Sequence, residues 1–561
     1  HAAPQPEHSA IEDFHMNARQ GFAVIVLVTA LIAGTWAVGR VQETSDNTYA
    51  NIERFIQVLS KVRDHYVEPV TTDKLMDSAI RGMLRTLDPY SQYLDKDEAE
   101  RLETTTHGSF GGIGISIGIR DSWVTVISPI EGTPAWRAGI QGGDRIIKID
   151  GASTEGLSLD DAMKKMRGDK GTKVELSIFR EGRDKPMDFS ITRDIIQIKS
   201  VPYAGVLNYG VGYIRLSNFS ERSRDEIDDA LAKIEKQNPR GLILDLRYNP
   251  GGLLSQAVEV SEEFAPRGKK IVFTRGRDAT QNRDFYSSST EPHQKYPLIV
   301  LVNQWTASAS EIVSGAVQDL DLGVVVGRST FGKGLVQTVI PLTRSVRGPK
   351  LKLTTAKYYT PSGRCIQKEE QLKDGALAES DDDGDSPTAD LPDSLRAKKP
   401  LPEYKTEMGR TVYGGGGIVP DIELEEVKYP HLVEDLESKQ SFFKYAVKYA
   451  TKHKEPPANY AITQAMRDEF LTMVKADKIE VAADSLAMAQ KFIDTGMRRE
   501  LARRYAGDEE AYRVALEDDQ QVREAASLID KAATLPKLLA LANEMSKSRA
   551  SGNPDKTPSV H

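Results

Sequence analysis

The sequence predicts a multidomain α+β protein: an N-terminal helical segment, a small strand-rich unit, a larger α/β layer and a C-terminal helical extension. Three observations predict it. At 561 residues, 39% hydrophobic and 28% charged, the chain is too long for one compact core and should divide into about three or four units. From Gly108 to about Arg193 the texture is one of short strands, GGIGISIGI, SWVTVISPI, GDRIIKIDG, TKVELSIFR and MDFSITR, broken by helical pieces near 134–138 and 158–166. From about Val211, apolar strands alternate with helical patterns.

In order along the chain, residues 1–20 form an N-terminal tail, within which Met16 reads as a natural start. Residues 21–39, GFAVIVLVTALIAGTWAVG, are an uncharged apolar run flanked by Arg19 and Arg40, long enough to cross a bilayer as a helix. A cleaved secretory signal is the rival reading, and either one sends the rest of the chain out of the cytoplasm. Residues 45–105 carry helical periodicity, with Ile52, Phe55, Ile56, Leu59 and Val62 and then Leu75, Ile80, Met83 and Leu84, closed by the turn 87–91, LDPYS.

The strand-rich unit is assigned to 106–194 and the α/β layer to 195–372 with 403–430. In that layer the strands VGYIRLS, GLILDLR, IVF, LIVLVN, GVVVG, LVQTVI and KLTTAKYY alternate with helices at 223–237, from 253, and at about 308–319. Residues 373–402, with the acidic run SDDDGD and prolines at 387, 392, 400 and 402, have the makeup of a solvated surface insertion. Residues 441–546 are rich in Ala, Leu, Glu, Lys and Arg at helical spacing, and helix–helix association into an oligomer is their expected use.

Bulk properties exclude several function classes. A formal charge of −8 gives no basic field, so nucleic-acid binding has no electrostatic support. The single cysteine, Cys365, rules out an intramolecular disulfide and any multi-cysteine metal site, and the nine histidines show no ligand spacing. No metal or organic cofactor is expected.

The chemistry concentrates in three segments. In 299–311, IVLVNQWTASASE, an apolar strand ends in small residues and a helix begins, which puts Ser308 at a helix N-terminus whose free N–H groups favour a developing negative charge. Ser308 through Glu311 also fits a capping box, and on this segment alone capping is the stronger reading. In 327–337, GRSTFGKGLVQ, Lys333 can serve as a general base only if neutral, and Phe331, Gly332, Gly334, Leu335 and Val336 offer the apolar setting that lowers an amine's pKa. Gln337 could hold that amine without stabilising its charge. The same segment is most of a phosphate-binding loop, but Gly334 stands where Ser or Thr must hold magnesium. In 245–252, DLRYNPGG, paired glycines let backbone N–H groups approach a ligand, as an oxyanion hole requires, although an ordinary Asn-Pro-Gly turn reads the same way. Further upstream, Phe110, Gly111, Gly112, Ile113 and Gly114 could cradle the terminal carboxylate of a peptide lying along the next strand.

Taken together and in order, FGGIG at 110–114, LDLRYNPGG at 244–252, TASASE at 306–311 and FGKGLVQ at 331–337 resemble the C-terminal processing peptidases, or tail-specific proteases, with support from YYTPSGR at 358–364 and GGGGIVPD at 414–421. The resemblance implies a PDZ domain ahead of a crotonase-like α/β protease core, with Ser308 as nucleophile, Lys333 as base and Gln337 orienting it. It implies an oxyanion hole from the N–H of Ala309 with that of Gly251 or Gly252, and a docking-to-activity coupling through Arg167. It further implies protein or peptide substrates with accessible C-termini, an extracytoplasmic, periplasmic setting, anchored in the inner membrane or released after signal cleavage, and room for an activating adaptor protein. Trp305 and Cys365 depart from the family's usual residues. A catalytically silent PDZ scaffold is the alternative.

Overall fold

The computed structural model describes residues 48–293, 295–345, 348–368 and 401–552. The tail 1–20, the apolar run 21–39 and nearly all of the insertion 373–402 lie outside the described residues. Among the described residues no helix is long and apolar enough to cross a membrane.

The chain divides into two bodies, 1–84 and 85–561. In the first, the helical periodicity becomes a helix over 48–65 and a second over Thr72–Arg85, whose last residue belongs to the next body.

In the second body, residues 108–197 contain a six-stranded antiparallel sheet, with Ile115–Arg120, Trp123–Pro129, Arg145–Ile149, Lys173–Phe179 and Met187–Thr192 in that order and the short strand Ala152–Ser153 paired to Arg145–Ile149. Alternation buries Val174, Leu176 and Ile178 against Val124, Val126 and Ile146, with Ala162 and Met166 of the helix Leu159–Met166 closing the core. Ser109–Gly112 pairs separately with Asp194–Gln197, which leaves Ile115–Arg120 as an edge strand.

The α/β layer is a six-stranded sheet: Tyr203–Val206, Gly212–Arg215, Leu242–Asp245, Leu298–Val302, Val324–Gly327 and Ile422–Glu423. Its first pair is antiparallel and the remainder parallel. Both faces are covered, which explains why strands such as LIVLV are apolar at every position. Leu298, Val300 and Val302 meet the helices Ser223–Glu235, Leu254–Glu262 and Ala309–Asp319 on one face. Ile299 and Leu301 meet Val522, Ala525, Ile529 and Leu538 of the C-terminal helices Gln520–Ala532 and Leu535–Gly552 on the other.

One expectation needs correction. The strands IVF, LVQTVI and KLTTAKYY do not join the parallel layer. They fall in Lys270–Gly276, Leu335–Pro341 and Lys350–Tyr359, which with Gln92–Leu94 and Arg283–Tyr286 make a separate antiparallel sheet. The physical difference is one-sided burial: Leu335–Pro341 runs from buried to exposed, whereas Val324–Gly327 is buried throughout. The C-terminal helices also bury apolar surface inside the chain. Gln520–Ala532 and Leu535–Gly552 cover the parallel sheet. The long helix Ala483–Asp518, broken at Gly507, packs on Ser441–Lys452 and reaches the strand-rich region through Ser128 to Asp508 (3.0 Å) and Arg504 to Gln141 (2.9 Å).

Candidate active site

The strand Leu298–Val302 ends at Asn303, and a short turn delivers Ser308 to the start of the helix Ala309–Asp319, every residue of which is buried. Ser308 itself is half-buried at φ 56° and ψ −114°. A left-handed φ at a residue other than glycine costs about 1–3 kcal/mol and persists only where neighbours enforce it. Here they do. The Ser308 N–H donates to Glu311 Oε2 (2.7 Å), the N–H of Glu311 returns to the Ser308 carbonyl (2.8 Å), and the Tyr358 hydroxyl lies 3.1 Å from that carbonyl. The carboxylate half of the capping box is therefore formed.

Glu311 does more than cap. Its Oε1 also accepts from Thr330 Oγ1 (2.5 Å) and the Gly332 N–H (2.7 Å), and its Oε2 from the Lys333 N–H (2.9 Å). One buried carboxylate thus ties the backbone of Ser308 to that of Lys333. Burial pushes its pKa up against these hydrogen bonds, which favour the anion. The Tyr358 hydroxyl, kept protonated by burial, donates to the Lys333 carbonyl (2.7 Å) and adds a second tie.

The Lys333 amine is held down to a pKa of about 8 by burial and then by the nearby charge of Lys352, with Glu311 and Asp88 opposing. Lys352 is itself depressed by burial. The amine lies 4.6 Å from the centre of the Tyr90 ring, and among the described residues it has no hydrogen bond to Ser308. The expected bond from Gln337 is not formed either. The Gln337 amide donates to Thr354 Oγ1 at 3.4 Å, because the strand Lys350–Tyr359 lies beside it.

The turn 245–252 packs onto Ser308 from the neighbouring strand. Asn249 is buried and its carbonyl accepts from the Ala307 N–H (3.0 Å) and Ser310 Oγ (3.0 Å). A Cβ on Gly251 would stand 2.9 Å from Ser308 Cβ and 2.9 Å from the Ala309 nitrogen, at φ 98°, so only glycine fits. The Gly251 N–H is already given to Asn249 Oδ1 (2.9 Å), while the N–H groups of Gly252 and Ala309 have no partner among the described residues. Beneath this turn Asp245 is buried. Against burial, Arg247 and Arg215 hold its carboxyl well below the usual range.

Beyond the carboxyl ends of these strands lies a cavity of about 790 Å³, lined in part by Tyr248, Asn303 and Gln304 and by Tyr429 and Arg499. The Asn303 side chain accepts from the N–H of Tyr248 (2.9 Å) and of Trp305 (3.2 Å), and both aromatic side chains are exposed. Trp305, the departure noted in the sequence, therefore stands at the surface.

The upstream loop is also assembled. The Gly168 N–H donates to the Gly111 carbonyl (3.1 Å), and the guanidinium of Arg167 lies 4.6 Å from the Phe110 ring centre, a cation–π contact. Gly112, Ile113 and Gly114 are buried, with Gly114 at φ 79° against Thr133. Among the described residues one group, Asp228, Glu263 and His293, has metal-compatible spacing. Its histidine already lies 2.7 Å from Glu235 and 3.5 Å from Glu263.

Sequence reasoning missed Glu311 as a link, Asp88 and Tyr90, and Tyr358. Glu311 carried a signal, its capping-box position, but its three partners at 330–333 could not be read from spacing.

A serine held at a strained strand-to-helix turn in an α/β core, preceded by an antiparallel sheet with an open edge, is the arrangement of a serine hydrolase with an accessory strand-rich domain. Comparison with known proteins makes this specific. Residues 210–375 match the model of peptidase family S41, residues 125–180 a PDZ domain, and residues 28–98 the activating protease CtpB N-terminal domain. The carboxy-terminal-processing protease of Bartonella bacilliformis is 44% identical over 325 residues, 57% of this chain and 74% of the relative. The carboxy-terminal processing protease CtpA of Bacillus subtilis is 36% identical over 352 residues, 61% and 74%. The carboxyl-terminal-processing protease of Synechocystis is 40% identical over 316 residues, 55% and 72%. The chain belongs to peptidase family S41, among the PDZ-containing carboxy-terminal-processing serine proteases.

Proposed function

We propose that this protease binds the C-terminal tail of a protein substrate at its PDZ domain and cleaves it with Ser308 as nucleophile and Lys333 as general base. The observation that carries this reading is the single buried carboxylate of Glu311 bonded to the backbone of both residues. Neutral Lys333 takes the proton of the Ser308 hydroxyl as its oxygen attacks the scissile carbonyl. The resulting ammonium gives that proton to the leaving amine, and water then hydrolyses the acyl-enzyme. Because the Gly251 N–H is committed to Asn249, the N–H groups of Ala309 and Gly252 are the proposed oxyanion donors. In the resting arrangement the amine sits on Tyr90, so the reaction requires it to turn toward Ser308, where Gln337 is proposed to receive it.

The edge strand Ile115–Arg120, entered from Phe110, Gly111, Gly112, Ile113 and Gly114, supports tail binding by strand addition, with Arg167 reporting occupancy through its contact with Phe110. An extracytoplasmic location, membrane attachment through 21–39, a homo-oligomer and an adaptor are parts of the same proposal; the apolar run motivates the first two.

The test is incubation of wild type, Ser308→Ala and Lys333→Ala with an unfolded protein carrying a defined C-terminal tag, with products mapped by mass spectrometry. Cleavage by wild type alone is expected. Full activity in either variant removes the dyad, and tail-independent cleavage removes the PDZ reading. Binding without cleavage by wild type would leave a PDZ scaffold.

A further inference from the structure

The turn LDPYS at 87–91, legible in the sequence only as the end of a helix, is a tightly bonded knot. Asp88, 7% exposed, accepts from the N–H groups of Tyr90 and Ser91 and from Ser91 Oγ, each at 2.8 Å. The knot is fastened to the strand Lys350–Tyr359: Thr354 Oγ1 reaches Asp88 Oδ1 (3.2 Å) and the Thr354 N–H reaches Ser91 Oγ (3.1 Å). Thr354 is the same residue that receives the Gln337 amide. With its backbone pinned at this point, Tyr90 presents its ring to the Lys333 amine at 4.6 Å.

Resting on the reading that Lys333 is the base, we propose that Tyr90 is a positioning residue for it: the ring face, fixed by Asp88, holds the amine beside the Ser308 turn and covers it from water. Two chemical properties suit the ring to this. Burial, followed by the charges of Glu311 and Asp88, pushes the phenol up to about 12, so the group stays neutral and offers a π face and no anion. A π face within about 6 Å attracts an ammonium by about 0.5–2 kcal/mol without the strong pull of a carboxylate. The ammonium formed when Ser308 loses its proton thus has a weak resting place that it can leave to protonate the departing amine.

The ring acts on the amine in two opposed ways. Its cover disfavours the ammonium and its quadrupole favours it. The other charged groups facing the amine are Lys352 from the adjacent strand, Glu311 from the helix and Asp88 from the knot itself. Since the amine stands well below its ordinary value with burial as the leading cause, exclusion of water is the larger effect. Removing the ring therefore moves the amine up.

The experiment measures, from pH 6 to 10.5, kcat/KM on a tagged peptide and the labelling rate of Ser308 by a serine-reactive fluorophosphonate, for wild type, Tyr90→Phe and Tyr90→Ala. Tyr90→Phe keeps the ring and is expected within about twofold of wild type. Tyr90→Ala is expected to move the acid limb up by about one pH unit, a roughly tenfold loss at pH 7 carried by kcat with KM nearly constant, and to recover above pH 10 where the amine is neutral in every variant. A limb in Tyr90→Ala that coincides with wild type, a failure to recover at pH 10.5, or a Tyr90→Phe as slow as Tyr90→Ala each overturns the proposal. Ser308→Ala and Lys333→Ala run alongside: activity in either overturns the dyad, whereas inactivity in both with a silent Tyr90→Ala overturns the positioning role alone.

Discussion

Replacing Glu311 by glutamine is the most exacting test of the link between Ser308 and Lys333, the proposed nucleophile and base. The side chain keeps its volume, so no cavity opens, and what changes is hydrogen-bonding capacity alone. The carboxylate accepts four bonds: from Thr330 Oγ1 and the Gly332 N–H at one oxygen, and from the Ser308 and Lys333 N–H groups at the other. An amide has one accepting oxygen and two donating hydrogens. If its oxygen faces Gly332, the N–H groups of both Ser308 and Lys333 are orphaned. The better orientation keeps those two and sets the NH2 against Gly332 and Thr330.

Thr330 can turn its hydroxyl to accept, but the Gly332 N–H is then left against a donor in a buried site, at about 1–3 kcal/mol. Two surviving bonds fall from charge-assisted to neutral, about 0.5–1 kcal/mol each. Relief of a buried charge, visible in the upward pKa of Glu311, offsets part of this. The net is about 2–3 kcal/mol, or roughly a 30- to 150-fold faster opening of the helix Ala309–Asp319. Amide hydrogen exchange followed by mass spectrometry on peptides spanning 308–319 reads this locally, without requiring two-state unfolding of a multidomain chain. Exchange within threefold of wild type, together with an unchanged rate of Ser308 labelling, would refute the argument that this carboxylate holds the two segments together.

With Lys333 as the proposed base, its amine should set the pH dependence. Base catalysis needs the neutral amine, so activity should rise with pH through about 8 and level off above it, read as kcat/KM against pH; a midpoint near 10 would show an amine in ordinary solvent. The same depression has a stability consequence with a fixed sign. A folded pKa below the unfolded one contributes stability that is present above about 10.5 and lost as pH falls through about 8, so Lys333→Met should stabilise the core at pH 7 by about 1–3 kcal/mol and lose that advantage above pH 10.5. Gly251→Ala should abolish cleavage and lower the melting temperature, since the new Cβ would meet the Ala307 carbonyl at 2.7 Å and Ser308 Cβ at 2.9 Å; an active variant would show that the turn yields. Arg167→Ala releases the Phe110 ring and should weaken binding of a C-terminal peptide by about two- to fivefold in fluorescence anisotropy, the worth of one exposed cation–π contact.

Much of this protein was legible in one dimension because the relevant physics is local. Short strands from Gly108 to Arg193 announced a strand-rich unit, apolar strands alternating with helical patterns from about Val211 announced an α/β layer, and small residues between Val302 and Glu311 announced a strand-to-helix turn. Ser308 and Lys333 were singled out in the sequence by the chemistry their neighbours permit. Periodicity failed where burial depends on a partner far along the chain: Lys350–Tyr359 reads like any apolar strand, and only its pairing with Gln92–Leu94, Lys270–Gly276 and Leu335–Pro341 puts it in a second sheet.

By itself, then, the sequence determined the local elements, the residue types able to do acyl-transfer chemistry and the family to which they belong. Tertiary structure alone decided which groups surround the Lys333 amine. Asp88 and Tyr90 lie more than two hundred residues from Lys333, and no local pattern encodes a contact whose formation depends on closing a loop of that length. It also decided that the Gln337 amide goes to Thr354 and that one oxygen of Glu311 serves the N–H groups of both Ser308 and Lys333. Side-chain hydrogen bonds are short-ranged and directional, so they are settled only after the strands and helices that carry them have packed.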